Sequence, residues 1–412
     1  MIPRLKPWIG SRELEAAMRP ERNAVAAFER EFATTFDAPH AVAFPYGRSA
    51  IWALLKGLDL QNAEVIIPAY TCVVVAHAVA LSGNVPRFVD VSAADGNIDL
   101  TLLEEAITPR TRMIVPTHLF GAPFDVDRLQ RIVAAAETRL GHKIWVLQDC
   151  AHAFGARWHG ELVCTRGDAA LFGLNVSKTI TSIFGGMITT ADASIAGVLR
   201  KARERHFTPP GAGHSAARVL YLHAAVAGFS SALYGVTAWL QHSTPVLDRL
   251  TRAYHLDDLC RFPPDAFSCM TDVEAAVGRV QLQRYADIVH HRRGLAARYH
   301  AALLGTPGLE LPVLAPGSTW SHYAVRVLDR AIMCDAARKL GVELGTLIDY
   351  SVPERPEYRA TAAGAWPVAH RLSETTVNLP IHMGVTDAVR HRVVEAVRAG
   401  AERCVREGRR AA

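Results

Sequence analysis

The chain has 412 residues, half of them hydrophobic, with 45 Lys and Arg against 40 Asp and Glu. This length is enough for two domains that share an interface. The net charge of +5 is small, and no basic stripe with interleaved aromatic residues is present, so the sequence gives no support for nucleic-acid binding.

The seven cysteines are scattered, without paired clusters and without the spacing of metal ligands. An odd, irregular set of this kind is typical of reduced thiols. Residues 1–8 contain no apolar segment of the sort found in secretory signals. The sequence therefore predicts a cytoplasmic protein with no metal site.

The first half of the chain alternates between apolar runs and helical patterns. A helical pattern covers residues 13–36. Strands are predicted at 41–44, 64–68, 85–89, 113–116, 144–148 and 169–174, and helices at 50–58, 71–81, 100–106 and 125–136. Such alternation predicts an α/β protein whose mostly parallel sheet is covered by helices on both faces.

A glycine turn joins the strand at 41–44 to the following helix. It contains Gly47, Arg48 and Ser49. Free N–H groups and the positive end of the helix dipole meet at such a turn, which suits a phosphate. An ordinary helix cap explains the turn equally well.

The most informative stretch is the strand at 144–148, which ends in Asp149, together with the turn that ends in Lys178. Of the six lysines, only Lys178 follows a strand-like run in a turn of small residues. A carboxylate that keeps a ring nitrogen protonated and a lysine that forms a Schiff base are the two groups that pyridoxal phosphate requires. A buried Asp and a loop Lys also occur in many unrelated α/β proteins.

Several polar residues fall at or just after predicted strand ends, where ligands of parallel sheets bind. They are Gly47, Tyr70, His118, Asp149 and Lys178. We therefore expect one site to gather them.

Residues 216–240 form a long apolar stretch. Its length alone would span a bilayer, but Arg218, His223 and several Ser, Thr and Gly lower its hydropathy, and strong basic flanks are lacking. A helix buried in the subunit or in a dimer is favoured. A contact with the membrane surface and a true span are the alternatives.

The remaining sequence predicts a small α/β domain. Helices are expected at 271–298, 331–340 and 387–408, and strands at 322–328 and 342–348. The predicted division is a large domain at 1–285, with an apolar insertion at about 210–262, and a C-terminal domain at 286–412.

Several motifs follow in a fixed order along the chain. They are Gly47-Arg48-Ser49-Ala50, Glu64-Val65-Ile66-Ile67-Pro68-Ala69-Tyr70-Thr71, Phe88-Val89-Asp90-Val91, Ile107-Thr108-Pro109-Arg110-Thr111, Pro116-Thr117-His118-Leu119-Phe120-Gly121 and Asp149-Cys150-Ala151-His152. With them the chain resembles the DegT/DnrJ/EryC1/StrS family of pyridoxal phosphate enzymes of fold type I, from Ile2 to His382 with one insertion. The resemblance implies this fold and a homodimer with the site at the interface.

The resemblance also implies roles for individual residues. Lys178 would form the Schiff base, and its presence argues against a dehydratase branch that carries histidine at this position. Asp149 would face the pyridine nitrogen. His152 would contact the ring edge or the 3-oxygen, with a structural histidine as the alternative. Gly47, Arg48 and Ser49 would hold the phosphate.

The chain departs from the family at three cofactor positions. Gly173 stands where a serine is common, Cys72 where an aromatic residue stacks on the ring, and Phe267 where an asparagine of the neighbouring subunit often reaches the phosphate. We expect Arg48 to supply charge, and Asn175 and Ser177 to supply hydrogen bonds.

The expected function is transfer of an amino group from glutamate or glutamine to a keto group of a sugar nucleotide or related cyclic polyol. Tyr70, His118, His322 and Tyr350 are predicted to line the substrate pocket, with structural roles as the alternative. Other hypotheses are action on a non-sugar carbonyl compound, dehydration, a regulatory protein that binds the cofactor without catalysis, and a membrane-associated scaffold. The sequence does not identify the acceptor.

Overall fold

A computed structural model describes residues 1–230, 233–235, 237 and 259–411. The described residues form twelve strands: β1 (His40–Phe44), β2 (Glu64–Pro68), β3 (Val85–Val89), β4 (Thr111–Ile114), β5 (Trp145–Asp149), β6 (Arg157–Trp158), β7 (Glu161–Leu162), β8 (Ala169–Gly173), β9 (Gly186–Thr190), β10 (Leu309–Glu310), β11 (Tyr323–Val327) and β12 (Thr376–Leu379).

The same residues form twelve α-helices. These are α1 (Ser11–Met18), α2 (Ala24–Thr35), α3 (Gly47–Gly57), α4 (Val73–Leu81), α5 (Leu100–Ala106), α6 (Val126–Leu140), α7 (Ala193–His206), α8 (Ala212–Gly228), α9 (Asp272–Leu303), α10 (Arg330–Lys339), α11 (Pro367–Thr375) and α12 (Asp387–Ala411).

The centre of the fold is a seven-stranded sheet with the order β1-β9-β8-β5-β4-β2-β3. Only β9 runs antiparallel to its neighbours. Successive side chains of a strand point to opposite faces, and both faces here are apolar and buried. Helices α2 and α6 pack on one face, and α3, α4 and α7 on the other. The fold is the predicted α/β architecture.

A second, three-stranded antiparallel sheet, with the order β10-β11-β12, forms a smaller core with α10 and α12. Helix α9 joins the two parts: Leu282 belongs to the core of the large sheet, and Leu295 and Tyr299 belong to the small core. The N-terminal segment also reaches the small core, because Ile2 forms a parallel bridge with Val342.

Two predicted elements differ from the structure. The pattern at 13–36 is two helices, because the chain leaves α1 before Pro20 and re-enters α2 through Asn23, which has a left-handed φ of 61°. The predicted strand at 342–348 is wrong, since this segment makes only isolated bridges, at Val342 and Gly345. Strands β6, β7, β9, β10 and β12 and helices α7 and α11 were not predicted.

Helix α8 is the described part of the apolar stretch at 216–240; most of residues 231–240 lie outside the described residues. It packs against α1 and α9 through one face that buries Arg218 and Leu222, while Leu220 on another face is 71% exposed. Within the described ranges, no helix is both long and apolar enough to cross a membrane.

Candidate active site

Asp149 is the buried last residue of β5. Its Oδ1 accepts a hydrogen bond from the Ala151 amide at 3.0 Å, and its Oδ2 accepts one from the Thr117 hydroxyl at 3.3 Å. Thr117 in turn lies 2.9 Å from the Thr71 hydroxyl. Burial raises the pKa of Asp149, against the opposing effects of the Ala151 amide, Lys178 and Thr117. The strand thus presents a carboxylate that a further N–H donor would stabilise.

Lys178 lies in the loop that joins β8 to β9. Its amide donates to the Asn175 carbonyl at 3.0 Å, and the Asn175 side chain accepts from the amide and hydroxyl of Ser177, so the turn is locally fixed. The Nζ of Lys178 makes no hydrogen bond or ion pair with any described residue, and its charge lowers the pKa of Asp149 and of His152. It is an amine held near a buried acid.

Glycines allow the turn that contains Gly47, Arg48 and Ser49 to lie close to the Lys178 loop. Phe44, Gly186 and Gly173 are register partners across β1, β9 and β8. A Cβ on Gly186 would lie 2.6 Å from the Gly47 nitrogen, and one on Gly173 would lie 3.2 Å from Lys178 Cε. The start of α3 and the side chain of Lys178 therefore both lie against the backbone of these neighbouring strands.

Two imidazole rings lie near Lys178, and a phenyl ring stacks on one of them. The ring centres of His152 and His322 are 5.2 Å apart, and Phe120 stacks on His152 at 6.3 Å. Burial is the largest cause of the lowered pKa of both histidines. The second cause is Lys178 for His152 and Arg292 for His322. Both imidazoles are therefore neutral at pH 7 and have one N–H to donate.

Three residues around the site have strained backbone conformations. Phe120, Ile183 and Trp320 all have left-handed φ values, between 55° and 75°, which bulky residues rarely adopt. Phe120 adjoins His152, Ile183 lies in the Lys178 loop, and Trp320 lies two residues before His322. Such conformations persist where the surrounding structure enforces them, and functional sites are the common setting.

Of the predicted pocket residues, His118 lies on the opposite face of the sheet from Asp149. It is fully buried, its Nε2 lies 3.0 Å from Gln148 Oε1, and its ring stacks on Phe124. Burial lowers its pKa to about 4. Gln148 and Asp149 are consecutive strand residues and point to opposite faces, which explains the separation.

The two predicted tyrosines hold backbone groups. The Tyr70 hydroxyl donates to the Ile348 carbonyl at 3.2 Å, and burial raises its pKa to about 12. The Tyr350 hydroxyl accepts from the Val73 amide at 3.1 Å, at the start of α4. Tyr70 also lines a pocket beside His322, whereas Tyr350 contacts the helix end.

Several of the predicted cofactor-binding residues already use their polar side-chain atoms for hydrogen bonds within the protein. The buried Ser49 hydroxyl donates to the Ala266 carbonyl at 2.7 Å, and Arg48 is buried in the first turn of α3. Cys72 is the half-buried N-cap of α4. Asn175 and Ser177 use their side chains on each other.

Sequence reasoning missed Arg292, which is buried in α9 close to His322. It occupies the stripe of buried positions formed by Ile288, Leu295 and Tyr299. A charged residue on an apolar helical stripe was the available signal. No three His, Cys, Asp or Glu side chains converge as metal ligands within the described residues.

These residues fit pyridoxal phosphate. Asp149 is a buried acceptor suited to a protonated ring nitrogen, Lys178 is an amine with no protein partner within the described chain, and a glycine-lined helix start lies beside them. Fold and site together define a pyridoxal phosphate enzyme of fold type I.

Comparison with known proteins agrees. The model of the DegT/DnrJ/EryC1/StrS aminotransferase family matches residues 16–238 and 266–398. The chain is 29% identical, over 91% of its length and 86% of the relative, to the dTDP-3-amino-3,4,6-trideoxy-alpha-D-glucose transaminase of Streptomyces venezuelae. It is 30% identical, over 91% and 89%, to the erythromycin biosynthesis sensory transduction protein EryC1 of Saccharopolyspora erythraea.

A solved structure is similar over nearly the whole chain. DesV of S. venezuelae, in complex with a ketimine intermediate, has a TM-score of 0.73 at 27% identity and covers 95% of each chain. The chain belongs to the DegT/DnrJ/EryC1/StrS aminotransferase family, and it is a pyridoxal phosphate-dependent aminotransferase.

Proposed function

We propose that this aminotransferase moves an amino group from glutamate or glutamine to a keto group of a sugar nucleotide or a related cyclic polyol. The observation that carries the chemistry is the buried Asp149 near the amine of Lys178, which has no hydrogen-bond partner among the described residues. The similarity to a dTDP-aminosugar transaminase supports the sugar acceptor.

Bound cofactor supplies an electron sink for the carbanion at the substrate Cα. In this proposal Asp149 would accept a hydrogen bond from the ring nitrogen and keep it protonated. The Lys178 Nζ carries the proton to and from the reacting carbon, a general acid–base role. The neutral His152 would either donate its N–H to the 3-oxygen of the cofactor or contact the ring edge. Thr117 holds Asp149 in position through the hydrogen bond at 3.3 Å.

The phosphate belongs, in the same proposal, at the start of α3. Gly47 and Ser49 offer backbone N–H groups, and Arg48 offers a guanidinium in the first turn. Cys72, Asn175 and Ser177 complete the predicted cofactor shell. Gly173 and Gly186 keep the backbone beneath it free of side chains.

A pocket beside His322 suits the acceptor. Its wall includes the aromatic residues Tyr70, Phe120 and Trp320, and its polar groups include Asp95 and Arg326; His322 faces it as well. Flat apolar surfaces combined with a few placed polar groups are what a polyhydroxylated ring requires. His118 and Tyr350 make structural contacts and are not among the residues that line this pocket.

We further propose a cytoplasmic homodimer, with a large domain at 1–285, including the insertion at about 210–262, and a small domain at 286–412. The separate apolar core around β11 supports the division. The exposed apolar side chains of α8, such as Leu220, support a covered face in a dimer. Sedimentation of the purified protein as a monomer would contradict the dimer.

The substrate assignment is tested with a panel of keto-sugar nucleotides and keto-cyclitols, each supplied with glutamate or glutamine. We expect turnover of at least one panel member, with 2-oxoglutarate formed from glutamate. Turnover confined to non-sugar aldehydes or ketones would contradict the proposed acceptor and leave the aminotransferase class intact.

A further inference from the structure

A small apolar cluster lies between helix α8 and two segments assigned to the cofactor. One segment is the turn at residues 47–49, called here the phosphate turn, and the other is the Lys178 loop between β8 and β9. Tyr46 directly precedes the phosphate turn, Phe184 belongs to the Lys178 loop, and Leu222 belongs to α8; all three are buried in this cluster. The insertion therefore meets the cofactor segments in one shared core.

Arg218 of α8 contacts both segments. Its Nη2 donates to the Tyr46 hydroxyl at 3.4 Å, and its guanidinium carbon lies 4.4 Å from the centre of the Phe184 ring. The Tyr221 ring of the same helix adds a contact, with 4.8 Å between its centre and that of Phe184. Arg218 is buried, and contacts of a cation with a ring or a hydroxyl are strongest where water is excluded.

The segment before α9 holds the phosphate turn from the other side. The Tyr46 hydroxyl donates to Asp265 Oδ1 at 2.8 Å, and Arg218 Nη2 lies 2.6 Å from Asp265 Oδ2. The Ser49 hydroxyl donates to the Ala266 carbonyl at 2.7 Å. Burial raises the pKa of Tyr46, which keeps its hydroxyl protonated as a donor. The turn is thus fixed at the residue before it and at its last residue.

The Lys178 loop ends in a strained segment beside this cluster. Ile183 has a left-handed φ of 75°, which a β-branched residue adopts only where its surroundings enforce it. The Ser182 hydroxyl donates to the Phe184 carbonyl at 2.5 Å, and the Phe184 ring lies against the Tyr46 ring, with 5.7 Å between their centres. Phe184 therefore joins the loop to the phosphate turn as well as to α8.

We propose that helix α8 is a brace for the cofactor site, with Arg218 and Tyr46 as positioning residues. Through them α8 holds the phosphate turn and the Lys178 loop in the arrangement that binds pyridoxal phosphate. The inference rests on the placement of the phosphate at the start of α3 in the proposed function. Coupling between two sites is reciprocal, so a cofactor that orders the turn must also stabilise the docking of α8.

Pyridoxal phosphate and pyridoxal separate this role from general stability. With either compound the Lys178 nitrogen forms a C=N bond to the aldehyde carbon and one water is released, but only pyridoxal phosphate carries the group that the phosphate turn holds. Absorbance titration of the cofactor-free protein gives a dissociation constant for each. Tyr46→Phe removes the hydroxyl that contacts Asp265 and Arg218. The ring that packs on Phe184 remains.

We expect Tyr46→Phe to raise the dissociation constant of pyridoxal phosphate about 3- to 10-fold, the change that follows when the binding-competent turn falls to about 10–30% of the cofactor-free population. The constant for pyridoxal should stay at the wild-type value. Tyr299→Phe is the matched control. Its buried hydroxyl donates to the Pro380 carbonyl at 2.9 Å in the small core, so both constants should equal those of the wild type.

Hydrogen exchange measures the reciprocal effect in the wild type. Pyridoxal phosphate should slow amide exchange in α8 relative to the cofactor-free protein, and pyridoxal should slow it less. Helix α10, which packs in the small core, serves as the internal reference. In Tyr46→Phe the slowing of α8 by pyridoxal phosphate should be reduced.

Three results would overturn the proposal. An unchanged dissociation constant for pyridoxal phosphate in Tyr46→Phe would remove the coupling, and equal losses for the two compounds would make the role of Tyr46 purely structural. Exchange in α8 that does not respond to the cofactor would contradict the brace, and this measurement decides alone if Tyr46→Phe does not fold. Failure of the wild type to transaminate any panel member, with the coupling intact, would instead refute the proposed function.

Discussion

The buried ion cluster that anchors α8 allows a quantitative prediction. Arg218 is 2% exposed; its Nε lies 2.8 Å from Glu274 Oε1 and its Nη2 lies 2.6 Å from Asp265 Oδ2. The guanidinium also lies 4.4 Å from the centre of the Phe184 ring. Substitution of Arg218 by Met keeps most of the aliphatic volume and removes the charge.

The cost arises at Glu274, which is 1% exposed and caps α9 through the amide and hydroxyl of Thr271. Removing one partner of a buried ion pair leaves an uncompensated charge and costs about 3–5 kcal/mol. Asp265 is more exposed and should add little. We therefore expect Arg218→Met to lower the free energy of unfolding by about 3–5 kcal/mol at neutral pH.

The effect should depend on pH. Burial raises the pKa of Glu274, and Arg218 is the largest of the influences that lower it. Loss of Arg218 raises this pKa further. A carboxyl group whose folded pKa lies above its unfolded value destabilises the folded state as pH rises through the folded pKa, and this cost disappears at lower pH. The difference between variant and wild type should therefore shrink on acidification.

Urea unfolding of the wild type, the two single variants Arg218→Met and Glu274→Gln, and the double variant measures the coupling. The double variant should be less destabilised than Arg218→Met alone. Arg279→Met is the control, because that arginine pairs with the more exposed Glu21 and Glu31 and should cost only about 0–1 kcal/mol. A loss below about 1 kcal/mol for Arg218→Met, or one independent of pH, would refute the reasoning.

Two further predictions concern the phosphate turn and backbone packing. Arg48→Ala should weaken pyridoxal phosphate binding by about 1–3 kcal/mol, measured by titration. Lys56→Ala, at the other end of α3, is the control and should not change the affinity. Equal affinities of Arg48→Ala and the wild type would remove Arg48 from the site. Gly155→Ala should lower the unfolding free energy by more than about 2 kcal/mol, because its Cβ would lie 1.5 Å from the Tyr285 hydroxyl at a φ of 70°. Gly160→Ala is the control: its φ is also left-handed but its Cβ would meet open space, so it should cost about 1 kcal/mol. Similar melting temperatures for the two variants would contradict this prediction.

The strands of the large sheet could be predicted where burial on both faces requires an unbroken run of apolar residues. Strand β2 begins and ends at the predicted residues, because a buried parallel strand is a continuous apolar run bounded by turns. Strand β3 also matches its predicted bounds, although it is an edge strand that contains Pro86 and Arg87. Strand β9 was missed, since Gly186 and the two threonines at its end do not form such a run. Residues 342–348 resemble a strand but lack a full partner strand, which only the tertiary fold decides.

The sequence predicted site residues only where the residue type alone indicates the chemistry, as the carboxylate of Asp149 and the amine of Lys178 do. The structure brings Asp149 and Lys178 together, as their places at strand ends of one sheet edge predict. His152 and His322, which were not part of that prediction, lie near them. The same rule placed His118 there, and it failed because the rule locates a strand end without giving the face. Arg292 was missed because only the fold brings this helix residue close to His322.

The central claim is that Lys178 carries the cofactor and exchanges it with an amino donor. Mass spectrometry of the borohydride-reduced protein, after loading with pyridoxal phosphate, tests it most directly. We expect one covalent adduct per chain, on the peptide that contains Lys178, and none in Lys178→Ala; prior addition of glutamate should remove the adduct from the wild type. An adduct that persists in Lys178→Ala, or one that glutamate and every other amino donor leave in place, would contradict the account.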